Sequence, residues 1–483
     1  MSVPGTAAAL AAHAAARPDS VALFEPPRQV SYRQLAVQVA AAVTVLERIG
    51  ITPGMRVGVE VRPDRALHLV LLLACEVIGA TTLAVTAADL AAPADPALSG
   101  CARLLVTAAA PAAAQAERIP PDWLQSLPPC DADESERILR RPPPAAGLVR
   151  IVRTSGTTGR PKAIGMSFAA QQRILDTAIA RVAADVGAQP RFLSIYGLGF
   201  RASVTRVLQT LQCGGSVLFA AEAQAPAMIA AGLVNHLMFL VGDAKRIVAR
   251  GSPPPRGHRL HVELVGASAD KPLRAALTER FGATVTACYS TNETNLISFV
   301  DADGVGRLCP GVAARIVDEA GRDLPHGAVG VIRVRTAVMT DAYVDDPAAS
   351  AAAFIDGWYH TNDMGRMPDA STLVVLGRAD DMLNVGGIKF LPQPIEATLK
   401  RVPGVRDAVL VALDHADRAS RVVAAIEIGA ERVPPGVTEA VRAAMAGAVP
   451  GAEVVPVPWF PRTETGKVQR AELRAALARR DGA

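Results

Sequence analysis

Short runs rich in β-branched residues alternate with longer Ala/Leu-periodic stretches along most of the chain. The strand-like runs fall at residues 56–61 (RVGVEV), 82–85, 104–106, 147–153, 216–220 and 263–266, and residues 167–186 and 271–281 have helical length and period. This alternation predicts an α/β chain whose mixed, largely parallel sheets are covered by helices. Residues 69–85 are the most apolar stretch, but Glu76 and Gly79 interrupt it. It reads as a buried helix running into a strand, too short to span a bilayer. From 308 to 336 the pattern changes: Gly311, Gly321, Gly327 and Gly330 punctuate the β runs VAARIVD and GVIRVRT. A smaller, more antiparallel β subdomain is expected there. Residues 125–146, rich in Pro, Asp, Glu and Arg, are expected to form an exposed connection outside the core. Past a boundary near Asp380 the pattern implies a helix at 394–400, strands at 408–413 and 421–428, and helices at 437–446 and 470–480. The expected division is a large N-terminal domain, 1–379, and a small α+β C-terminal domain, 380–483.

Composition narrows this picture. The 483 residues suit two to four domains, and 50% hydrophobic residues exclude wholesale disorder. The net charge of +4 comes from scattered residues, without a basic tract interleaved with aromatics, so nucleic acid is not an expected partner. Cys75, Cys101, Cys130, Cys213, Cys288 and Cys309 are widely spaced with no CxxC pair. Neither a zinc site nor a disulfide framework is indicated, and a cytoplasmic location fits. The Ala-rich start lacks a basic segment before its apolar stretch and is expected to be a helix, not a signal peptide.

The sharpest chemical signal is TSGTTGRPK, directly after the strand-like run that ends at Arg153. Glycines let main-chain N–H groups approach an anion, hydroxyls add donors and a lysine adds charge. Together they suit phosphate oxygens. The spacing is not GxxxxGK[ST], so a Walker-type loop is not indicated.

Four further stretches follow in order: YSTNE (289–293), YHTND (359–363), GRADD (377–381) and PRTETGK (461–467). This series, with the opening SYRQL (31–35), resembles the adenylate-forming superfamily of acyl-CoA synthetases, peptide-synthetase adenylation domains and luciferases. The resemblance covers nearly the whole chain. It implies a large N-terminal domain with a β subdomain, joined by a hinge at Asp380 to a small mobile domain. It further implies that Thr154, Ser155, Gly156, Thr157, Thr158, Gly159 and Lys162 hold the ATP phosphates, with Gly266, Ala267, Ser268 and Tyr289 around adenine. Asp363 and Arg378 would bond the ribose, and Glu293 and Thr157 would attend Mg²⁺. Lys467, Glu293 and Asn292 would serve the reacting groups. Gly386 and Gly387 would line a tunnel for a pantetheine thiol, from CoA or an acyl carrier protein. The acyl pocket would draw on Tyr196, Gly197, Leu198, Gly199 and Ser290, and the YGLG string is similar to benzoate-type CoA ligases. Arg201, just beyond it, could face a polar group on the acid.

Several positions depart from the family pattern. Ser290 stands for a usual Gly, Asn292 for a usual Thr, and Asn362 for the Gly of the Thr-Gly-Asp signature. Asn is the commonest non-Gly residue at positive φ, so the turn at Asn362 is expected to survive. Phe168 replaces a frequent His, and Pro394 a usual Glu beside Glu396. Three readings stay open on sequence alone. One is an AMP-forming ligase that joins a small, compact or aryl acid to CoA, and one is the same chemistry delivered to a carrier protein. The third is a non-catalytic acyl- or nucleotide-binding protein.

Overall fold

The computed structural model describes residues 5–91, 96–107, 116–144, 146–153, 162–187, 189–266, 271–385, 388–415, 418–429, 433–449, 451–462 and 468–481. The chain divides into two compact units. One comprises residues 1–303 and 335–359, the other 304–334 and 360–483.

The first unit is built on two sheets of the same plan. In the larger one, strands Val21–Glu25, Ser216–Phe219, Arg191–Ser194, His236–Leu240, Leu260–Val265 and Ala283–Thr291 run parallel. Antiparallel partners, Arg28–Ser31 and Asn295–Val300, flank them. The second sheet sets Ala116–Arg118, Arg103–Val106, Arg56–Glu60, Thr81–Val85 and Leu148–Arg153 in parallel, and Ala163–Ser167 closes it antiparallel. Helix Arg65–Ile78 buries Ala66 to Cys75 without interruption. A helix apolar on every side belongs inside a layered core. With helix Tyr32–Arg48 it packs among residues of both sheets, such as Val57 and Leu105 of one and Phe192 and Phe219 of the other. Its start is capped by Asp64, which accepts from the Leu67 N–H at 2.8 Å, and its end by Gly79 at φ 86°.

Three parts of the sequence reading can be compared directly. The apolar stretch at 69–85 is the expected buried helix and strand Thr81–Val85. The mixed α/β plan agrees as well. Residues 125–146, by contrast, are not simply an exposed connection. Helix Ala132–Leu139, capped by Asp131 on the Glu134 N–H, turns Ile138 and Leu139 into the main core. Its charges occupy the other face. Composition averaged over the stretch concealed an amphipathic helix of two turns.

The second unit contains strands Val305–Leu308, Ala313–Val317, Val329–Arg335, Trp358–Asp369 and Thr372–Arg378 in its described portions. Thr372–Arg378 pairs antiparallel with both Val305–Leu308 and Trp358–Asp369. Further on, Asp407–His415, Arg418–Glu427 and Glu453–Val457 form a three-stranded sheet, antiparallel then parallel, with helix Val437–Met445 making the crossover. Alternation splits the first strand's side chains between two cores. Ala408 and Leu410 join Leu399, Val441 and Met445, whereas Val409, Val411 and Leu413 join Phe460, Leu473 and Leu477. The helix at Pro392–Leu399 serves one face and the helix at Arg470–Asp481 the other.

Candidate active site

Parallel α/β sheets bind ligands beyond the carboxyl ends of their strands, where helix starts and loop backbones face outward. The sequence motifs of the first unit collect at such ends. Tyr196 follows Arg191–Ser194, Leu240 ends His236–Leu240, Gly266 follows Leu260–Val265, and Tyr289 and Ser290 lie near the end of Ala283–Thr291. Gly266 has φ 84°, and a Cβ there would come within 2.7 Å of Leu240 Cδ2. A side chain is excluded on both counts. Tyr289 is half-buried and paired with Ser298, Ser290 is exposed, and Leu198 is turned into the core. Gly197 and Gly199 lie against Val61, where Cβ atoms would sit 3.5 and 3.1 Å from its methyl groups.

Tyr196 is held firmly. Its hydroxyl accepts from the Leu240 N–H at 2.7 Å and donates to Asp243, which Arg246 also binds. Burial, reinforced by the hydrogen bond to Asp243, raises the phenol well above its ordinary range, so it stays protonated. The ring meets Phe200 edge-on, with centroids 5.5 Å apart.

Residues 154–161 lie outside the described residues, but the positions on either side of them are fixed. Arg153 pairs with Ala163 across the antiparallel strands Leu148–Arg153 and Ala163–Ser167. The Arg153 guanidinium forks onto Asp89 at 2.7 and 2.5 Å and donates to the Ala84 carbonyl at 2.9 Å. From the loop's far end Lys162 places its ammonium 4.8 Å from the centroid of the Tyr343 ring. Tyr343 is buried and forms an isolated bridge with Ile164, and the Val344 N–H donates to the Ala163 carbonyl at 2.8 Å.

The Tyr343 hydroxyl donates to Glu293 Oε1 at 3.0 Å, and the buried Tyr359 phenol packs in the same cluster as Tyr343, near enough for the Glu293 charge to act on it. Burial and then the Glu293 charge push both phenols well above their usual range. Glu293 itself is buried, and the Thr340 N–H donates to its carbonyl at 2.9 Å. Beside it, Arg201 donates to the Asn292 carbonyl and approaches Met166 Sδ at 4.0 Å. Burial lowers the guanidinium to about 10, opposed by the Glu293 charge, so it remains a cation at neutral pH. Arg201, Asn292, Glu293 and Thr340 line a cavity of about 10 Å³ with Ile164, Gly165, Met166 and Val338, room for roughly one water.

Magnesium usually takes one or two carboxylates and leaves its other positions to water and substrate phosphates. Glu293 meets that requirement, and no group of three or more metal-ligating side chains occurs among the described residues. A single buried carboxylate of this kind fits a cation that shares its coordination with a phosphate ligand.

In the second unit Asp363 and Arg378 stand directly opposite each other on paired strands, both half-buried. Register thus sets an acceptor next to a fork of donors. Asn362 has φ 58°, the positive value expected of it, and its amide donates to Asp380 Oδ2 at 2.5 Å. Asp380 is exposed, in the turn Ala379–Asp381, and Arg378 lies 3.9 Å from it. The neighbouring Asp381 faces downstream, accepting from Gln393 at 2.8 Å with Arg470 at 3.6 Å. Residues 463–467, with Lys467, lie outside the described residues, as do Ala267, Ser268, Gly386 and Gly387. Around the first of these gaps Arg462 bridges Val468, and salt bridges tie both sides. Arg462 holds Glu427 and Asp407 at 2.6 and 2.8 Å, and Arg470 holds Glu396 through two bonds at 2.8 and 2.7 Å.

Sequence reasoning passed over Tyr343 and Thr340, and it weighed Arg201 as a group that could face the acid against a structural role. A signal for Tyr343 existed: the chain has 5 tyrosines, and all but Tyr32 fall in segments of this site.

Residues 10–344, well over half of the chain, match the family of AMP-binding enzymes. The chain belongs to that family. It is 28% identical to the phenyloxazoline synthase MbtB of Mycobacterium tuberculosis over 96% of this chain and 34% of that one, so it spans about a third of that relative. It is also 28% identical to the 2-hydroxy-7-methoxy-5-methyl-1-naphthoate–CoA ligase of Streptomyces carzinostaticus, over 96% of this chain and 91% of the ligase. The crystal structure of the anthranilate CoA ligase AuaEII with anthranoyl-AMP superposes with a TM-score of 0.83 over 100% of this chain and 99% of that one, at 18% identity. At that identity the likeness speaks for the fold.

Proposed function

We propose that the protein uses ATP to convert a small carboxylic acid, with aryl acids favoured, into an acyl-adenylate and then transfers the acyl group to a pantetheine thiol, first of all that of CoA. The observation that carries this reading is the buried Glu293 carboxylate, held by Tyr343 and linked through its ring to Lys162, the lysine that ends the glycine-rich motif. It joins a phosphate loop to a site for a divalent cation. The naphthoate–CoA ligase named above supports the choice of acid and acceptor. The match to one third of a much longer synthase favours a second reading, in which a carrier protein presents the thiol.

The chemistry divides into two displacements. An oxygen of the acid attacks the α-phosphorus, the bond to the bridging oxygen breaks, and pyrophosphate leaves. A thiolate then attacks the acyl carbon, the bond to the phosphate oxygen breaks, and AMP leaves. Residues 154–161 and Lys162 would hold the phosphates, and Glu293 would hold Mg²⁺, which supplies charge neutralisation when bound. Tyr289 and Gly266 would flank adenine, while Asp363 and Arg378 would bond the ribose diol. Lys467 would approach the oxygens on which charge develops, and Gly386 and Gly387 would admit the thiol arm. Domains 1–379 and 380–483 would turn about Asp380 between the two steps. The setting is cytoplasmic in this reading, and no helix among the described residues is long and apolar enough to cross a membrane.

Acid-dependent exchange of labelled pyrophosphate into ATP, screened over a panel of aryl and short-chain acids, tests the reading. Exchange with at least one compact acid is expected. Nucleotide binding without exchange for any acid would return the protein to the non-catalytic reading.

A further inference from the structure

Arg201 breaks a local rule. It opens the helix Arg201–Gln212, whose N-cap, Phe200, supplies no side-chain bond. A cation there faces the positive end of the helix dipole, an unfavourable placement where no anion compensates it. Among the described residues no carboxylate lies within ion-pair distance of its guanidinium. Its bonds are to the Asn292 carbonyl and weakly to Met166 sulfur. An arginine has five N–H donors, so most of them remain to be used. They border a cavity between Glu293 and the strand that leaves the glycine-rich loop, with Ile164, Gly165 and Met166 on its far wall. Glu293 lines the same cavity without pairing with the guanidinium, and its Oε1 accepts from Tyr343 instead. Such local inconsistencies in otherwise consistent sequences cluster where function compensates them.

We infer that Arg201 is a binding residue for the nucleotide's phosphate chain, a built-in cation that bonds anionic oxygens beside Glu293. This rests on the ATP-dependent reading above and deepens it. The guanidinium matches phosphate geometry with paired donors. It also brings positive charge to the same cavity as the carboxylate proposed for Mg²⁺. Two consequences follow from that arrangement. Nucleotide without metal binds measurably, and metal without nucleotide is repelled. A negatively charged oxygen on the acid would offer the same chemistry, and the position beside the phosphate-loop strand favours the nucleotide.

The test uses the full chain with Arg201→Met and Arg201→Lys. A fluorescent N-methylanthraniloyl-ATP is titrated with EDTA present and then with excess Mg²⁺, and Mn²⁺ binding to nucleotide-free protein is read by electron paramagnetic resonance. Arg201→Met should lose about tenfold or more in metal-free nucleotide affinity, the scale of a hydrogen bond to a charged group. Arg201→Lys should keep most of it, and the gap should narrow with Mg²⁺. Free Mn²⁺ should bind Arg201→Met more tightly than the parent. Melting curves check folding, and Arg201→Gln replaces the Met variant if that one is unfolded. Parent and Met variant binding metal-free nucleotide alike overturns the inference. So does a change confined to the KM of the acid. A parent protein that binds no nucleotide under either condition removes the ATP-dependent reading along with it.

Discussion

His68 is an imidazole sealed among cations. It is 1% exposed, both ring nitrogens lack hydrogen-bond partners, and the charges of Arg150 and Arg62 act on it. Burial, with those two arginines, lowers its pKa from 6.5 to about 3. Glu76, 3.9 Å from Arg150, supplies a counter-charge and takes a bond from Gln171 at 2.9 Å, while the Glu60 and Asp64 charges act on Arg62. An unfolded chain takes up the histidine proton near pH 6.5, and the native fold refuses it until about pH 3. Over that interval the unfolded state binds more protons, so stability falls as pH falls. Melting temperature should therefore decline between about pH 6.5 and 4, and His68→Leu should flatten that decline with little effect at neutral pH. An unchanged pH profile in the variant would mean that other groups govern the acid limb.

At the scale of elements, the small sheet of the second unit depends on charges that hold it to the following helix. Glu396 is 3% exposed and takes the Leu410 N–H at 2.8 Å besides two bonds from Arg470. Burial opposes the charge on Arg470, but Glu396 outweighs it and raises the guanidinium above its ordinary value. Arg470→Met strands a carboxylate inside and should destabilise this unit by about 3 kcal/mol. The double variant with Glu396→Met should recover much of that loss. Amide exchange in the strand Asp407–His415 measures both, and equal protection in all three proteins would deny the pair its role. This strand was legible in the sequence, since AVLVAL is short, apolar and β-branched. The strand Ala163–Ser167 was not. Its sequence, AIGMS, carries one β-branched residue, and its pairing is decided by the loop it closes. Tyr343 escaped notice for a related reason: its partners, Lys162, Ile164 and Glu293, are distant in sequence, and only the folded chain assembles them. Asn362 was readable because its backbone requirement is local.

For the whole molecule, the proposed two-step chemistry predicts that one lysine matters to only one step. Lys467→Ala should abolish acid-dependent pyrophosphate exchange, a loss of about a hundredfold or more on the scale of a removed transition-state donor. It should largely spare thioester formation from a supplied acyl-adenylate. Single-turnover assays of each half separate the cases, and equal losses in both halves would contradict the role given to Lys467. The ordered motifs made the overall plan readable, because each brings its own chemistry and the series spans the chain. The division between units was less readable. The boundary separates 304–334 and 360–483 from the rest, and it depends on which strands pair with which, information that no single segment carries.

The bridge between Arg462 and Val468, with ion pairs on either side, pins the positions just before and just after residues 463–467. The anchors on both sides lie outside those five positions. That separation gives an engineer a place to graft the corresponding pentapeptide of another AMP-binding enzyme and to compare chemistry between chimeras on an unaltered scaffold.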